Sequence, residues 1–120
     1  MEKQYSALSI VSPGGSKIVQ GLKTLEIRSW CPPHVPVKDL LIVENHHYLR
    51  QEGDEDSGLA VAVVDIESVH PWREDELEAA CGTYWAEGYW AWVITRVRPL
   101  DPPVPVVAKR KIYTVEIDHE

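Results

Sequence analysis

Lys23, Glu26, Arg28 and Trp30 fall within the stretch Gly21-Leu22-Lys23-Thr24-Leu25-Glu26-Ile27-Arg28-Ser29-Trp30. An ammonium, a carboxylate, a guanidinium and an indole so close together can hold a polar ligand. The lysine would meet a phosphate or carbonyl oxygen, and the carboxylate would accept from a base or sugar edge. The guanidinium forks onto phosphate and the indole stacks on a ring. A lysine desolvated beside other cations can also act as a base. The same residue types also suit an ordinary ion-paired strand face, and spacing does not choose between the two.

Other residues offer chemistry of the same kind. Trp92 is a second stacking candidate, set against a place in the core. In Glu44-Asn45-His46-His47, His46 is a candidate hydrogen-bonder in a cleft. Neighbouring histidines on a strand point to opposite faces, and Cys31-x-x-His34 has no second pair at zinc spacing, so no metal site is expected. Lys109-Arg110-Lys111, together with Arg96 and Arg98, is a candidate basic patch for nucleic acid or else a solvated turn. Ser12, Ser16, Ser29, Thr24 and Cys31 are near the first stretch, yet no Gly-x-Ser-x-Gly elbow or ordered Cys-His pattern supports a triad.

The elements that must position these residues follow from periodicity. Polar and apolar residues alternate from Thr24 to Trp30, which predicts a strand. Leu25 and Ile27 would face a core, with Thr24, Glu26, Arg28 and Trp30 on the other side. With Lys23 at the helix exit and Glu26 on that outward face, truncating either is expected to cost little stability. Ahead of this strand, residues 7–11 predict a short opening strand. A short helix follows Ser12-Pro13-Gly14-Gly15-Ser16, with Ile18, Val19 and Leu22 at helical spacing and a stop at Gly21. Its N-terminus would offer free N–H groups to an anion.

After a rigid proline loop at 31–36, Leu40 to Val43 reads as a buried strand, and residues 50–58 as an acidic loop. Leu59 to Val69 is the strongest strand, and its unbroken apolar first half predicts cover on both faces. Residues 73–80 read as a short acidic helix with its glutamates outward. Tyr89 to Val97 and Ile112 to Ile117 are strands, joined through a proline-rich connector at 99–105 that reads as a stiff crossover.

Length and composition set the frame. The chain has 120 residues, 44% hydrophobic and 26% charged, which suits one soluble domain over 1–120. Nothing resembles a signal peptide or a membrane span, so a cytoplasmic location without membrane contact is expected, with Cys31 and Cys81 as free thiols. The net charge of -7 argues against strong grip on generic duplex DNA. It leaves room for a pocket that takes one nucleotide. Strands outnumber helices and no βαβ rhythm repeats. The fold class is therefore mainly β with short helices: a small, partly open β-barrel of five to six strands.

The ordered set of motifs resembles the ASCH family, the activating-signal-cointegrator homology domain. The resemblance rests on Gly21-x-Lys23-x-x-Glu26-x-Arg28-Ser29-Trp30, on Leu8-Ser9-Ile10 and Pro13 before it, on Pro33-His34, and on Trp90-Ala91-Trp92-Val93, Arg98-Pro99-Leu100 and the lysine-rich turn into Ile112-Tyr113 after it. It implies a PUA-like barrel that binds RNA, a nucleotide or a nucleoside, with no cofactor, in a cleft between the first helix and the Thr24–Trp30 strand. One branch of the family hydrolyses the amide of N4-acetylcytidine with a lysine, a threonine and a glutamate. Lys23 matches that lysine, Glu26 stands at the threonine position, and the glutamate would be Glu74, Glu76 or Glu78. Many members carry tryptophan and alanine where this chain has Gly14-Gly15-Ser16. Lys23 and Glu26 would be catalytic if the protein is a hydrolase, whether amidohydrolase or ribonuclease. A further alternative is a protein-interaction module working through Tyr84–Trp92.

Overall fold

Every residue from Ala60 to Val64 is buried, as an apolar strand covered on both faces requires. The structure is a computed structural model that describes residues 2–118. Its strands are β1 (Glu2–Val11), β2 (Leu25–Arg28), β3 (Val37–Asn45), β4 (Asp56–Pro71), β5 (Trp90–Ala108) and β6 (Ile112–Asp118). One helix, α1 (Gly14–Val19), and a single 3-10 turn at Glu74–Glu76 complete the elements among the described residues. The strands form one sheet in the order β2-β5-β4-β3-β1-β6. Only β1 and β3 run parallel; the other neighbours are antiparallel.

Chain length alone forces this sheet to curl. β5 and β6 lie four strand spacings apart, roughly 19 Å in a flat sheet. The link from Ala108 to Ile112 spans at most about 14 Å. Curling produces the partial barrel. Leu8, Leu40, Ile42, Val64, Ile66 and Trp92 fill its main core, and Ile18 of α1 joins them. Ala7, Leu41, Val43, Ala60 and Val63 build a second cluster on the other face. A third cluster sets Trp72, Leu77 and Ala80 against Leu25 and Ala91 on β2 and β5.

Several elements differ from their sequence expectation. The proline-rich connector is strand: β5 continues through Pro99 and Pro105, which pair with Ala62 and Leu59. β2 reaches only Val93, so beyond Ile94 the other edge of β5 is open, and proline's missing N–H costs no ladder bond there. α1 stops at Val19, with Gly21 at φ +80 beyond its end. Ile18 is fully buried, but Val19 and Leu22 are exposed. The expected helix over 73–80 shrinks to the 3-10 turn, and Glu76 turns back onto His70 Nε2 at 2.8 Å instead of facing outward.

The glycines at 14 and 15 are explained by close approach. A Cβ at Gly14 would collide with Ile10 Cγ2, and one at Gly15 would stand 3.0 Å from Glu44 Cβ. α1 therefore packs so closely on the sheet that a side chain at either position has no free space. Its N-terminus is not free for an anion either. Glu44 Oε2 accepts from Ser16 N–H at 2.7 Å, and Ser16 Oγ also donates to Glu44.

Asp65 is a buried charge in the middle of the sheet, 1% exposed. Its carboxylate accepts from Asp39 N–H at 3.1 Å and Arg98 at 2.9 Å, and Arg96 and Lys38 each approach to 3.5 Å. Asp39 and Arg96 take positive φ, 56° and 50°, at irregularities in the strands flanking Asp65. One carboxylate thus organises a bulge on each side. Arg96 and Arg98 are committed here and do not join the 109–111 turn in a common patch.

Candidate functional site

β2 is shorter than the alternating stretch, but its register is the expected one. Leu25 is 5% exposed against the third cluster and Ile27 is half-buried. Glu26 and Arg28 face the other way, toward α1 and β1. Glu26 is also buried, at 6%, and Lys23 reaches only 9%. Glu26 sits between two cations: Lys23 Nζ is 3.3 Å from Oε1, and Arg28 is 2.7 Å from Oε2. Lys23 Nζ also donates to the Ala80 carbonyl at 2.8 Å, and Arg28 donates to the Ser9 carbonyl at 2.8 Å. The trio therefore ties the 77–81 turns and β1 to β2. It is a packed ionic network, not a solvated face.

Two adjoining hollows open over this network and share Val11, Ile27, Arg28 and Tyr48 as a common wall. The smaller, about 410 Å³, lies beside α1 and is lined by Lys17, Lys23, Glu26 and Cys81. The larger, about 480 Å³, is lined by Arg28, Trp30, His47, Tyr89 and the turn Lys109–Lys111. That is the size of a small-ligand pocket. Among the described residues no carboxylate lines the larger hollow, while Arg28, Lys109, Arg110 and Lys111 all do.

Trp30 owes its position to Trp92. The rings meet edge-to-face, 5.0 Å between centroids at 89°. Trp92 has no exposed surface, so it does not offer a stacking face; it supports the one that Trp30 offers. Lys111, at φ +57, swings its ammonium to 5.7 Å from the Trp30 ring centroid. The basic turn and the Trp30 stretch, far apart in sequence, thus face the same cleft.

The other candidates separate. His46 is exposed, and its backbone N–H donates to Asp56; His47 is the one lining the larger hollow. β3 ends at Asn45, so strand alternation no longer says which histidine faces where. Asn45 Nδ2 donates to the His47 carbonyl at 2.6 Å, and its buried Oδ1 is without a hydrogen-bond partner among the described residues. Asp56 gathers the His46 and His47 N–H groups and Asn45. Its burial opposes ionisation most, but the His46 N–H, the His47 ring, the Asn45 amide and the Ser57 N–H outweigh it and hold the carboxyl at about 2. Glu74, Glu76 and Glu78 line neither hollow. Among the described residues no three His, Cys, Asp or Glu side chains converge as metal ligands would. Cys31 and Cys81 are free. Among the described residues no helix is long and apolar enough to cross a membrane.

Residues 8–104 match the model of the ASCH domain. The chain belongs to the ASCH family. No curated protein matches it closely enough to be compared. In this ASCH domain, Tyr48 and His47 join the cleft without any signal in sequence periodicity, because both lie beyond the end of β3, and Tyr89, the expected first residue of the Tyr89–Val97 strand, lines it from just before β5.

Proposed function

We propose that this ASCH domain binds single-stranded RNA or a nucleotide in the cleft beside Trp30. One observation carries the reading: an aromatic face and four cations, with no carboxylate among the described lining residues, meet in one hollow on a protein of net charge -7. A base stacks on Trp30, and its phosphates meet the turn Lys109–Lys111. Every base has a π face, so stacking tolerates sequence. Arg28 is held by Glu26 and Ser9, so it presents a fixed edge and not a free fork.

A hydrolase has less support. Lys23 Nζ is engaged by Ala80 and Glu26, Glu26 takes the threonine position, and no glutamate of 74, 76 or 78 reaches the hollows. A protein-interaction role for Tyr84–Trp92 is weaker too. Trp85 packs on Trp72 and Trp92 is core, which leaves Tyr84, Tyr89 and Trp90 exposed.

Fluorescence titration with a short oligoribonucleotide tests the reading. Trp30→Ala should lose about 1–3 kcal/mol of binding. Lys109→Ala with Arg110→Ala should flatten the log–log salt dependence by about 0.7 for each phosphate no longer neutralised. Binding by both variants at parental affinity and slope would place the site elsewhere.

A further inference from the structure

The turn Lys109–Lys111 walls two hollows. One is the Trp30 cleft. The other, about 500 Å³, lies on its far side and is faced by Glu52, Gly53, Asp54 and Glu55. Lys109 Nζ is 3.6 Å from Glu55 Oε2. Asp54 is held below its ordinary value, chiefly by the Gln51 and Arg50 N–H groups, with Arg110 adding its charge.

This acidic tip is shaped by its own backbone. Asp54 Oδ2 accepts from Arg50 N–H at 3.0 Å and Gln51 N–H at 2.9 Å. At the loop's far end Asp56 Oδ2 accepts from the His46 and His47 N–H groups, 3.2 Å each. The loop is therefore held opposite the basic turn by its own backbone donors at both ends.

We propose that the loop Glu52–Glu55 is a built-in competing anion that sets which ligands the basic turn accepts. The inference rests on the reading of the cleft given above. A phosphate arriving from the Trp30 side must draw on cations that the loop carboxylates already attract. A single-stranded segment recovers the loss by stacking on Trp30. A duplex keeps its bases stacked within itself and offers only phosphates, so the loop discriminates against it. Exposed ion pairs are weak and screened by salt, so the effect is a graded one.

Two carboxylates outside the loop's caps, Glu52 and Glu55, allow a clean test. The double variant Glu52→Gln with Glu55→Gln is compared with the parent. A control, Glu67→Gln with Glu87→Gln, changes net charge equally at two exposed positions. Anisotropy titration uses a single-stranded oligoribonucleotide and a duplex DNA of equal length, and a heparin column reads the basic turn without any RNA. The loop variant should bind the oligoribonucleotide roughly 3- to 10-fold tighter at about 50 mM salt, gain more on duplex, and lose the advantage near 0.5 M. It should elute from heparin at higher salt, and the control should not. Unchanged heparin elution, or an equal gain in the control, overturns the proposal. If neither parent nor variant binds RNA but the heparin shift appears, the RNA reading fails and the competing-anion role stands. If the parent binds RNA and the loop variant binds it equally well, the role fails and the reading stands.

Discussion

Trp92 holds Trp30 twice, through an edge-to-face ring contact at 5.0 Å and through its indole N–H, which donates to the Trp30 carbonyl at 3.2 Å. One ring is wholly core and the other faces a cleft, so a buried residue sets the geometry of a ligand-facing one.

Trp92→Phe keeps an aromatic ring and deletes the N–H. It should cost about 1–3 kcal/mol in urea unfolding, since the Trp30 carbonyl loses its donor. It should also weaken oligoribonucleotide binding, although Trp92 lies away from any ligand. Trp30→Phe should retain more affinity than Trp30→Ala. Reduced stability with unchanged affinity in Trp92→Phe would separate the two rings functionally.

Burial reverses the stability expectation for the Lys23–Glu26 pair. Glu26→Ala leaves Lys23 and Arg28 adjacent with no carboxylate between them, and should cost about 3–5 kcal/mol. Lys23→Ala should cost less, about 1–3 kcal/mol, because Glu26 keeps Arg28 and only the Ala80 carbonyl loses its partner. Chemical denaturation of both variants checks the order. Near-parental stability in Glu26→Ala would mean that the network is dispensable.

Acid should weaken the fold through Asp56 and Asp65. Burial works against ionisation of Asp65, yet the Asp39 N–H, Arg98 and Lys38 prevail and lower its value. Asp56 is held at about 2. Because both folded values lie below the unfolded value of about 3.9, the unfolded chain binds more protons in that window. The stability they contribute is complete above about pH 5 and is lost as pH falls through the folded values, about 2 for Asp56. Urea midpoints at pH 7, 4 and 2.5 measure the decline, and Asp56→Asn should make it shallower.

Thiol titration without reductant should find two reactive groups in the unfolded protein. In the folded protein the exposed Cys31 should react first. Cys81 is part-buried and directs its S–H to the Leu22 carbonyl at 3.4 Å, which should slow it. A single reactive group after unfolding would contradict the free state of both.

The strands with a clear period or a long apolar run were legible in the sequence. The Leu25/Ile27 parity and the two-sided burial of Ala60–Val64 needed only side-chain alternation and hydrophobicity, which are local properties; the burial of Asp65 did not follow from them. The ASCH motif was legible as well, because its residues lie close together along the chain. What local pattern could not supply was which faces the curl of the sheet would bring together. It made a strand of the proline segment by leaving one edge of β5 open. It buried Lys23 and Glu26 against the 77–81 turns, although alternation sets Glu26 outward and the sequence pattern places Lys23 at the helix exit. It brought Lys109–Lys111 beside Trp30 because a three-residue link must bridge β5 and β6. Burial and long-range adjacency depend on how the whole sheet closes, so only the tertiary structure decided them.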